Sequence, residues 1–254
     1  MTTPSAMRLW LSKVLIAPAV IRTNRPTASS IITTSVAARW NLIFLLAYRR
    51  VGEARGVVRL QSVSSTQDVA RTLPIGSVVV ADHQTAGRGR LDRKWESPPG
   101  TALLVSFVVP PNPLLSLAAG VAAAEACAGG VRLKWPNDLL LGGAKLGGIL
   151  VEATPAKAIC GIGINLTWSP PGAARLNEDR DRLLAKLRVE LERWSSARPE
   201  VVLARWRELS DTLGRRVRIE VPGSVIEGTA EDIGPAGELI VDGAPVTVGS
   251  VTHL

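Results

Sequence analysis

The chain contains few of the residues that hold proteins together through disulfides or metal ions. Among its 254 residues there are two cysteines, Cys127 and Cys160, and two histidines, His83 and His253. The cysteines stand in apolar stretches without a Cys-x-x-Cys spacing, which predicts free, buried thiols in a reducing, cytoplasmic compartment. Two histidines exclude a multi-histidine metal centre.

Residues 1–52 lack acidic side chains and long apolar runs. The segment holds seven basic residues and no Asp or Glu, and its longest apolar run covers residues 42–48. A membrane-spanning helix needs ~20 apolar residues, so this run predicts no membrane partner. The composition fits an organellar transit peptide or an over-extended translation start. We favour the second interpretation, because no periodicity or helix cap is visible, and we expect this basic leader to be disordered where it is made.

The net charge of +8 belongs almost entirely to that leader. Without these seven basic residues, the rest of the chain has 23 basic and 22 acidic side chains, so residues 53–254 carry a net charge of +1. A nearly neutral body argues against a broad nucleic-acid surface. One tyrosine and two phenylalanines also offer few rings for stacking on bases. A basic nucleic-acid-binding module, which the leader and an arginine-rich loop suggest, is therefore not favoured.

Hydrophobic patterning predicts an α+β fold with two domains. Apolar content of 46% and a charged fraction of 20% are typical of a globular protein. Valine-rich runs and amphipathic stretches predict a mostly antiparallel sheet backed by helices over residues 53–212, and short Val/Ile-rich segments predict a small β-barrel of four or five strands over residues 213–254. Ser64 and Ser65 are expected to cap the first helix. Strands are predicted at 57–61, 77–82, 102–109, 131–135, 138–141, 144–153 and 158–164, and helices at 66–72, 114–128, 179–196 and 200–213.

The most informative stretch is the basic loop, residues 87–95, with the sequence Gly-Arg-Gly-Arg-Leu-Asp-Arg-Lys-Trp. Its glycines let the backbone approach a ligand closely, and its arginines fork onto oxyanions. Four cations side by side are costly to order until an anion bridges them, which predicts a loop that is disordered alone and closes over an anionic, phosphate-bearing ligand. The alternative is a solvated basic turn. Trp95 and the direct connection to a buried strand favour the ligand site.

Three further segments complete one candidate site. In residues 134–138 (Lys-Trp-Pro-Asn-Asp), the amide and the carboxylate suit a phosphate or a hydrated Mg²⁺, with an Asx-turn as the alternative. Lys145 enters an apolar strand that contains Gly147 and Gly148, and it suits a carboxylate or an α-phosphate, with a position at the hairpin rim as the alternative. Residues 161–165 (Gly-Ile-Gly-Ile-Asn) end a strand with alternating glycines, against which a flat ligand can lie.

These motifs together carry a family resemblance. Residues 60–254 closely resemble bacterial biotin protein ligases, which activate biotin with ATP and attach it to a lysine of a carboxylase carrier domain. The matching motifs are Ser65-Thr66, the basic loop, Lys-Trp-Pro-Asn-Asp, Lys145-x-x-Gly-Ile-Leu with Glu152, and Gly161-x-Gly-x-Asn. Each motif is modest alone, and their joint order over about three-quarters of the chain is specific.

The resemblance implies a class II aminoacyl-tRNA synthetase/biotin ligase-like fold with an SH3-like C-terminal barrel. It implies catalytic roles for Arg90 and Lys145, which would neutralise the biotin carboxylate and the α-phosphate, and Mg²⁺ contacts for Asn137 and Asp138. The family more often has Asn at the position of Gln67 and Ala at that of Gly147. The implied biotin-binding residues are Ser65, Thr66, Gln67, Gln84, Gly87, Arg88, Lys145, Gly148 and Gly161. The implied ATP-binding residues are Arg90, Arg93, Lys94, Trp95, Lys134, Asn137, Asp138 and Asn165.

The resemblance also implies partners and alternatives. The expected co-substrates are biotin and ATP with Mg²⁺, the expected protein partner is a biotin carboxyl carrier protein domain of acetyl-CoA carboxylase, and a homodimer is left open. Members of the family that repress transcription carry an N-terminal winged helix-turn-helix. Residues 1–52 show no such pattern, so we expect a monofunctional ligase without specific nucleic-acid binding. A lipoate or octanoate ligase is the nearest alternative enzyme, and the Gly-Arg-Gly-Arg sequence and the appended barrel disfavour it.

Overall fold

The structure, a computed structural model, describes residues 56–127 and 129–254. The predicted disorder of the basic leader therefore falls outside the described residues. The described elements are, in chain order, β1 (Val57–Val63), α1 (Thr66–Ala70), β2 (Val78–Gln84), β3 (Ala102–Val109), α2 (Leu115–Ala126), β4 (Val131–Lys134), β5 (Asp138–Leu141), β6 (Ala144–Ala153), β7 (Ala158–Asn165), α3 (Arg180–Ser195), α4 (Pro199–Leu209), β8 (Arg216–Val221), β9 (Ser224–Ile233), β10 (Leu239–Val241), β11 (Ala244–Val246) and β12 (Ser250–His253).

The first seven strands form one sheet in the order β1-β2-β3-β7-β6-β5-β4. Only β1 and β2 pair in parallel among these described strands, and the other neighbours are antiparallel. The β5–β6 hairpin turns at Gly142 and Gly143, whose φ angles of +59° and +80° are those that a two-residue hairpin turn requires. The meander β4 to β7 brings the Lys-Trp-Pro-Asn-Asp segment, Lys145 and the glycine-rich end of β7 to the same sheet.

Successive side chains of each strand point to opposite faces, so the sheet has two apolar sides. Val78 and Val80 join the larger core, which α2, α3 and α4 cover, while Val79 packs with Ala70 and Leu73 beside α1 on the other side. Apart from Ser116 and Glu125, helix α2 is built of apolar residues, as expected for a helix between the sheet and two further helices. The short helix α1 lies on the opposite side of the sheet from the three longer helices, and the site lies on the same side as α1.

Several predicted helix boundaries are wrong in detail. Helix α4 ends at Leu209 rather than at residue 213, because Ser210 takes an extended conformation and its hydroxyl accepts the backbone N–H groups of Thr212 and Leu213. Ser65 occupies the N-cap position of α1, yet its side chain makes no capping hydrogen bond. Asp179 does cap α3, since its carboxylate accepts the Arg182 N–H at 2.8 Å.

The last five strands form a second antiparallel sheet in the order β11-β10-β9-β8-β12. It is joined to the first sheet by Trp135, whose indole Nε1 donates to the carbonyl of Gly237 at 3.0 Å and whose side chain is buried. The Trp135–Pro136 peptide bond is cis. Over residues 56–127 and 129–254, no helix is both long and apolar enough to cross a membrane. The predicted fold class, a mixed sheet backed by helices with a small SH3-like C-terminal β unit, is confirmed.

Candidate functional site

A cavity of about 180 Å³ lies on the side of the sheet opposite to helices α2, α3 and α4, under the basic loop. Six cations and one carboxylate, Asp138, contribute to its wall, so the cavity favours an anionic ligand. Of the predicted site residues, the following line it: Ser65, Thr66, Gln67, Gln84, Arg88, Arg90, Arg93, Lys94, Trp95, Lys134, Asn137, Asp138, Lys145, Gly148 and Gly161. Gly87 and Asn165 are not part of the wall as described.

The basic loop folds as a small hairpin. Arg88 and Lys94 form an antiparallel bridge, the Gly89 N–H donates to the Arg93 carbonyl at 2.7 Å, and the Arg93 N–H donates back to the Arg90 carbonyl at 3.2 Å. The turn residues Leu91 and Asp92 both have positive φ angles, 54° and 57°. That conformation costs a residue with a Cβ roughly 1–2 kcal/mol. The loop therefore holds its cations over the sheet at the expense of backbone strain at the tip.

Trp95 packs flat against the glycines of β6 and β7. A Cβ added at Gly163 would lie 2.7 Å from Cε2 of the Trp95 ring, and one at Gly148 would lie 3.6 Å from Cζ3. Sequence reasoning predicted that these alternating glycines accommodate a flat ligand. In the structure, the flat group against Gly163 is the protein's own indole ring. Its Nε1 is buried and has no hydrogen-bond partner among the described residues.

At one end of the cavity, three neutral polar side chains form a connected network. The Gln84 Oε1 atom accepts from the backbone N–H of Thr66 at 2.7 Å and from its hydroxyl at 2.9 Å, and the Ser106 hydroxyl donates to Thr66 Oγ1 at 2.8 Å. Ser65, Thr66 and Ser106 are almost fully buried. Sequence analysis missed Ser106, although a single serine within the apolar strand β3 was a usable signal. Such an end suits an uncharged ligand group that makes several hydrogen bonds.

Gln67 lies beside this network and is 4% exposed. Its Nε2 donates to the Leu150 carbonyl at 3.1 Å, while its Oε1 is buried and accepts no hydrogen bond from any described residue. The amide lies over Gly161, where an added Cβ would be 3.1 Å from the Gln67 Cδ atom. A buried acceptor without a donor costs free energy, so the position favours a ligand that brings an N–H group.

At the other end of the cavity, cations surround residues 137 and 138. Lys145 Nζ lies 2.6 Å from Asp138 Oδ1, and Arg90 donates to Asn137 Oδ1 at 3.3 Å and to the Gly249 carbonyl at 3.4 Å. Burial lowers the pKa of Arg90, opposed by Asp138 and reinforced by Arg93. The cations at this end repel one another. An anion that binds among them is attracted by several positive charges at once.

Lys134 belongs to the same cluster and connects it to the second sheet. Burial lowers its pKa, Asp138 opposes this effect, and Lys145 and Arg93 add to it. Close by, Thr212 Oγ1 accepts the Trp135 N–H at 3.0 Å and lies 3.2 Å from His253 Nε2. Burial lowers the pKa of His253, and Lys134 and Arg215 lower it further. His253 is therefore neutral at physiological pH.

The second sheet also supplies cavity residues that sequence analysis did not predict. Gly249, Ser250 and Val251 line the cationic end, and the Ser250 hydroxyl accepts from the Arg93 guanidinium at 2.5 Å. These residues lie more than 150 positions from the basic loop, and no local pattern marks them.

The side chains of two predicted site residues, Asn165 and Arg88, make contacts within the protein. The Asn165 side chain is buried and donates to the Ala174 carbonyl at 2.9 Å. The Arg88 guanidinium lies against Asp68 and Glu152, at 2.9 and 3.6 Å. Gly87 faces the Trp95 carbonyl so closely that an added Cβ would lie 2.3 Å from that oxygen. Asn165 and Gly87 therefore support the shape of the site, while Arg88 pairs with the two carboxylates and also lies in the cavity wall.

The described residues contain no group of three or more His, Cys, Asp or Glu side chains able to hold a metal ion by themselves. Asp138 and the Asn137 amide supply side-chain oxygens at the cationic end, and Asp138 already pairs with Lys145. Mg²⁺ bound mainly through nucleotide phosphates and water needs only one or two protein oxygens. The donor set therefore fits an ion that arrives with a nucleotide and not a resident metal site.

Comparisons with known proteins agree with this geometry. Residues 58–167 match the biotin/lipoate A/B protein ligase family, and residues 212–249 match the biotin protein ligase C-terminal domain. A biotin–[acetyl-CoA-carboxylase] ligase of Mycobacterium tuberculosis is 38% identical over 70% of this chain and 79% of its own length. The bifunctional ligase/repressor BirA of Escherichia coli is 34% identical over 67% of this chain, which spans 63% of that relative.

A solved structure supports the same assignment. The biotin protein ligase of Aquifex aeolicus in complex with biotin and ATP is 26% identical, with a TM-score of 0.67, and the match covers 79% of this chain and 99% of that one. On the strength of its fold, its cavity and these relatives, the chain belongs to the biotin protein ligase family.

Proposed function

We propose that this protein activates biotin with MgATP to biotinyl-5'-AMP and transfers the biotinyl group to a lysine of a biotin carboxyl carrier protein domain. The single observation that carries this proposal is the polarity of one cavity. Neutral hydrogen-bonding groups at Thr66 and Gln84 lie at one end, and the cations Arg90 and Lys145 lie at the other. Biotin has the matching polarity, because a neutral ureido group and a carboxylate stand at its two ends.

The chemistry of the first step needs charge compensation more than covalent help. An oxygen of the biotin carboxylate attacks the α-phosphorus of ATP, the bond from that phosphorus to the α–β bridging oxygen breaks, and pyrophosphate leaves with the electron pair. The carboxylate and the α-phosphate are both anions and repel each other as they approach. Cations held in place in the cavity wall offset that repulsion without reorganising during the reaction. In the second step the carrier lysine attacks the acyl carbon of the mixed anhydride, its N–C bond forms, the acyl C–O bond breaks, and AMP leaves with the electron pair. The lysine must lose a proton before or during this attack.

We assign the reacting ends of the substrates to the cationic end of the cavity. Lys145 and Arg90 would contact the biotin carboxylate and the α-phosphate, while Lys134 and Asn137 would hold the nucleotide. Asn137 and Asp138 would supply the protein oxygens to the Mg²⁺ ion that accompanies ATP. When bound, this ion would neutralise further negative charge on the phosphates. Lys145 has to leave its 2.6 Å contact with Asp138, or share it, to reach a phosphate.

At the neutral end, Ser65, Thr66 and Gln84 would bind the ureido group of biotin. The unpartnered Gln67 Oε1 would accept one of its N–H groups, which removes the cost of a buried acceptor. Trp95 would cover the nucleotide from the basic loop.

Adenylate formation tests the proposal directly. Arg90→Gln and Lys145→Gln each remove one positive charge and keep most of the side-chain volume. Each should slow biotin-dependent ATP–pyrophosphate exchange about 100-fold, the usual effect of removing one fixed donor from a transition state. Arg59→Gln is the matched control, since Arg59 pairs with Asp181 on the surface outside the cavity. Wild-type exchange rates in either cavity variant would refute the role of that residue.

The acceptor and acyl specificities need separate assays. Incubation with biotin, MgATP and an acetyl-CoA carboxylase carrier domain should add one biotin to the carrier, measured by mass. Exchange driven by lipoate instead of biotin would favour the alternative ligase. We place the reaction in the cytoplasm, in keeping with the two free, buried cysteines. Sedimentation with and without both substrates tests for a homodimer, and salt-dependent binding to DNA would contradict the absence of a nucleic-acid partner.

A further inference from the structure

The first strand of the basic loop is held by a ring of four charged side chains, of which Arg88 alone also lines the cavity. Arg88 Nη1 lies 2.9 Å from Asp68 Oδ1, and Arg88 Nη2 lies 3.6 Å from Glu152 Oε1. Arg71 completes the ring, with one guanidinium nitrogen 2.7 Å from Asp68 and the other 2.7 Å from Glu152. We call these four residues the charge ring. Two cations and two carboxylates balance, so the ring gains attraction without leaving an excess charge.

The charge ring connects three segments that border the cavity. Arg88 belongs to the basic loop, Asp68 and Arg71 lie in and just after α1, which carries Thr66 and Gln67, and Glu152 lies on β6, which carries Lys145 and Gly148. A change in the position of one segment is therefore transmitted to the other two. Lys157 adds to this rigidity, because its Nζ donates to the Arg71 and Leu73 carbonyls at 2.7 Å each.

The ring leaves Arg88 partly unsatisfied in its hydrogen bonding. Its Nε and Nη2 atoms are buried and donate no hydrogen bond to any described residue, since the distance to Glu152 exceeds hydrogen-bond range. The short contact to Asp68 is therefore the stronger of the two. Because the ring members are 30% to 48% exposed, solvent screens them in part, and the ring is a moderate restraint rather than a rigid lock.

We propose that Asp68 and Glu152 are positioning residues that act through Arg88 to hold the basic loop closed over biotinyl-5'-AMP. In this arrangement the loop has two restrained strands joined by a turn. Arg88 restrains the first strand through the charge ring, Trp95 restrains the second by packing on Gly163, and the turn at residues 91 and 92, whose φ angles are positive, joins them. The ring sets how fast the intermediate escapes before a carrier lysine arrives. The inference rests on the proposed function.

Two measurements on the full chain test this role. The first is tryptic cleavage within residues 88–94 of the ligand-free protein, which reports loop opening without any substrate. The second is the dissociation rate of radiolabelled biotinyl-5'-AMP formed in the site and chased with unlabelled biotin and ATP. Asp68→Asn should raise both rates about fivefold, and Glu152→Gln about twofold, as expected for partly exposed ion pairs. Asp68→Asn is expected to have the larger effect, because the Arg88 guanidinium lies 2.9 Å from the Asp68 carboxylate and 3.6 Å from that of Glu152.

A matched control and a double variant separate positioning from general destabilisation. Asp181→Asn removes one carboxylate from the Arg59–Asp181 pair, also 2.7 Å long, and should leave both rates unchanged. If Asp68 acts through Arg88, adding Asp68→Asn to Arg88→Gln should release the intermediate no faster than Arg88→Gln alone. A purely structural role would make the two effects additive, which overturns the proposal.

The remaining outcomes are also decisive. If Asp68→Asn lowers the melting temperature more than Asp181→Asn does, the test uses Glu152→Gln in its place. Equal rates of tryptic cleavage and of biotinyl-5'-AMP release in Glu152→Gln and in the Asp181→Asn control would then overturn the proposal. If the wild-type chain forms no biotinyl-5'-AMP, the proposed function fails, while the tryptic comparison still tests the ring. Wild-type rates in both ring variants, with a functional wild-type enzyme, refute the ring and leave the proposed function intact.

Discussion

Gly163 controls where the Trp95 ring lies. Replacing Gly163 with alanine should therefore impair the use of ATP more than the binding of biotin. A Cβ at this position would lie 2.7, 3.0 and 3.1 Å from three atoms of the ring. The backbone of Gly163 cannot retreat, because β7 is paired with β3 on one side and β6 on the other. Carbon atoms pack at roughly 3.5–4.0 Å, so the ring must lift by about 1 Å from the sheet.

The magnitude follows from that displacement. A shift of about 1 Å in a substrate-positioning group can lower the rate about 100-fold. We therefore expect Gly163→Ala to lower kcat/KM for ATP in pyrophosphate exchange by about 10- to 100-fold. The KM for biotin should change less, because Thr66 and Gln84 form their network independently of Trp95.

Gly120→Ala is the matched control, since it adds the same methyl group to a buried glycine. Its nearest neighbours would be side-chain carbons of Leu133 and Ile149 at 3.5 and 3.7 Å, which is ordinary contact. This variant lies within helix α2, where alanine is favoured over glycine by ~1 kcal/mol, and should keep wild-type kinetics. Two results would refute this prediction. One is the same kcat/KM for ATP in Gly163→Ala and Gly120→Ala, and the other is an equal rise in the KM values for biotin and ATP in Gly163→Ala.

Three further predictions concern titration, thiol reactivity and the biotin end. Burial, together with the nearby charge of Lys134, lowers the pKa of His253, so its neutral form stabilises the fold above about pH 6.5 and this contribution falls as the pH drops below that value. His253→Gln should therefore flatten the pH dependence of the melting temperature. An unchanged slope of melting temperature against pH would contradict this. Burial raises the pKa of Cys127 and of Cys160 to about 12, so iodoacetamide at pH 8 should modify neither thiol until the protein unfolds, and rapid labelling of the native chain would count against it. Gln67→Leu should raise the KM for biotin about tenfold and leave that for ATP unchanged, since it removes one buried hydrogen-bonding amide; equal effects on both would disprove a contact with biotin.

Local sequence patterns predicted most of the fold. The strand at 102–109 agrees residue for residue with Ala102–Val109, because an apolar run between turn-forming prolines and glycine has one simple interpretation. The end of α4 was not predictable in the same way. Ser210 leaves the helix because residues 210 and 211 pair with Leu133, which is 77 positions away. Tertiary contacts of this kind override the local helix preference.

The site was predicted in composition but not in arrangement. The cations of the basic loop were identified as ligand groups, and Arg90 does line the cavity. Arg88 was assigned to the same task and also lies in the cavity wall, but its pairing with Asp68 and Glu152 was not predicted, because nothing in the sequence of the loop indicates these carboxylates. The glycines of β7 were predicted to accept a planar group, and the structure shows Trp95 there. Which planar group occupies such a surface depends on the path of the loop, and motif spacing does not encode that path.

The cavity is bounded by both sheets, since Gly161 of β7 and Val251 of β12 both lie in its wall. A molecule that fills it contacts the two sheets at once, and its binding free energy is lost when either of them unfolds. Saturating substrate therefore acts as a non-covalent cross-link between distant parts of the chain. Calorimetry of the loaded protein should show one cooperative heat-absorption peak for both sheets, at a temperature that rises with ligand concentration.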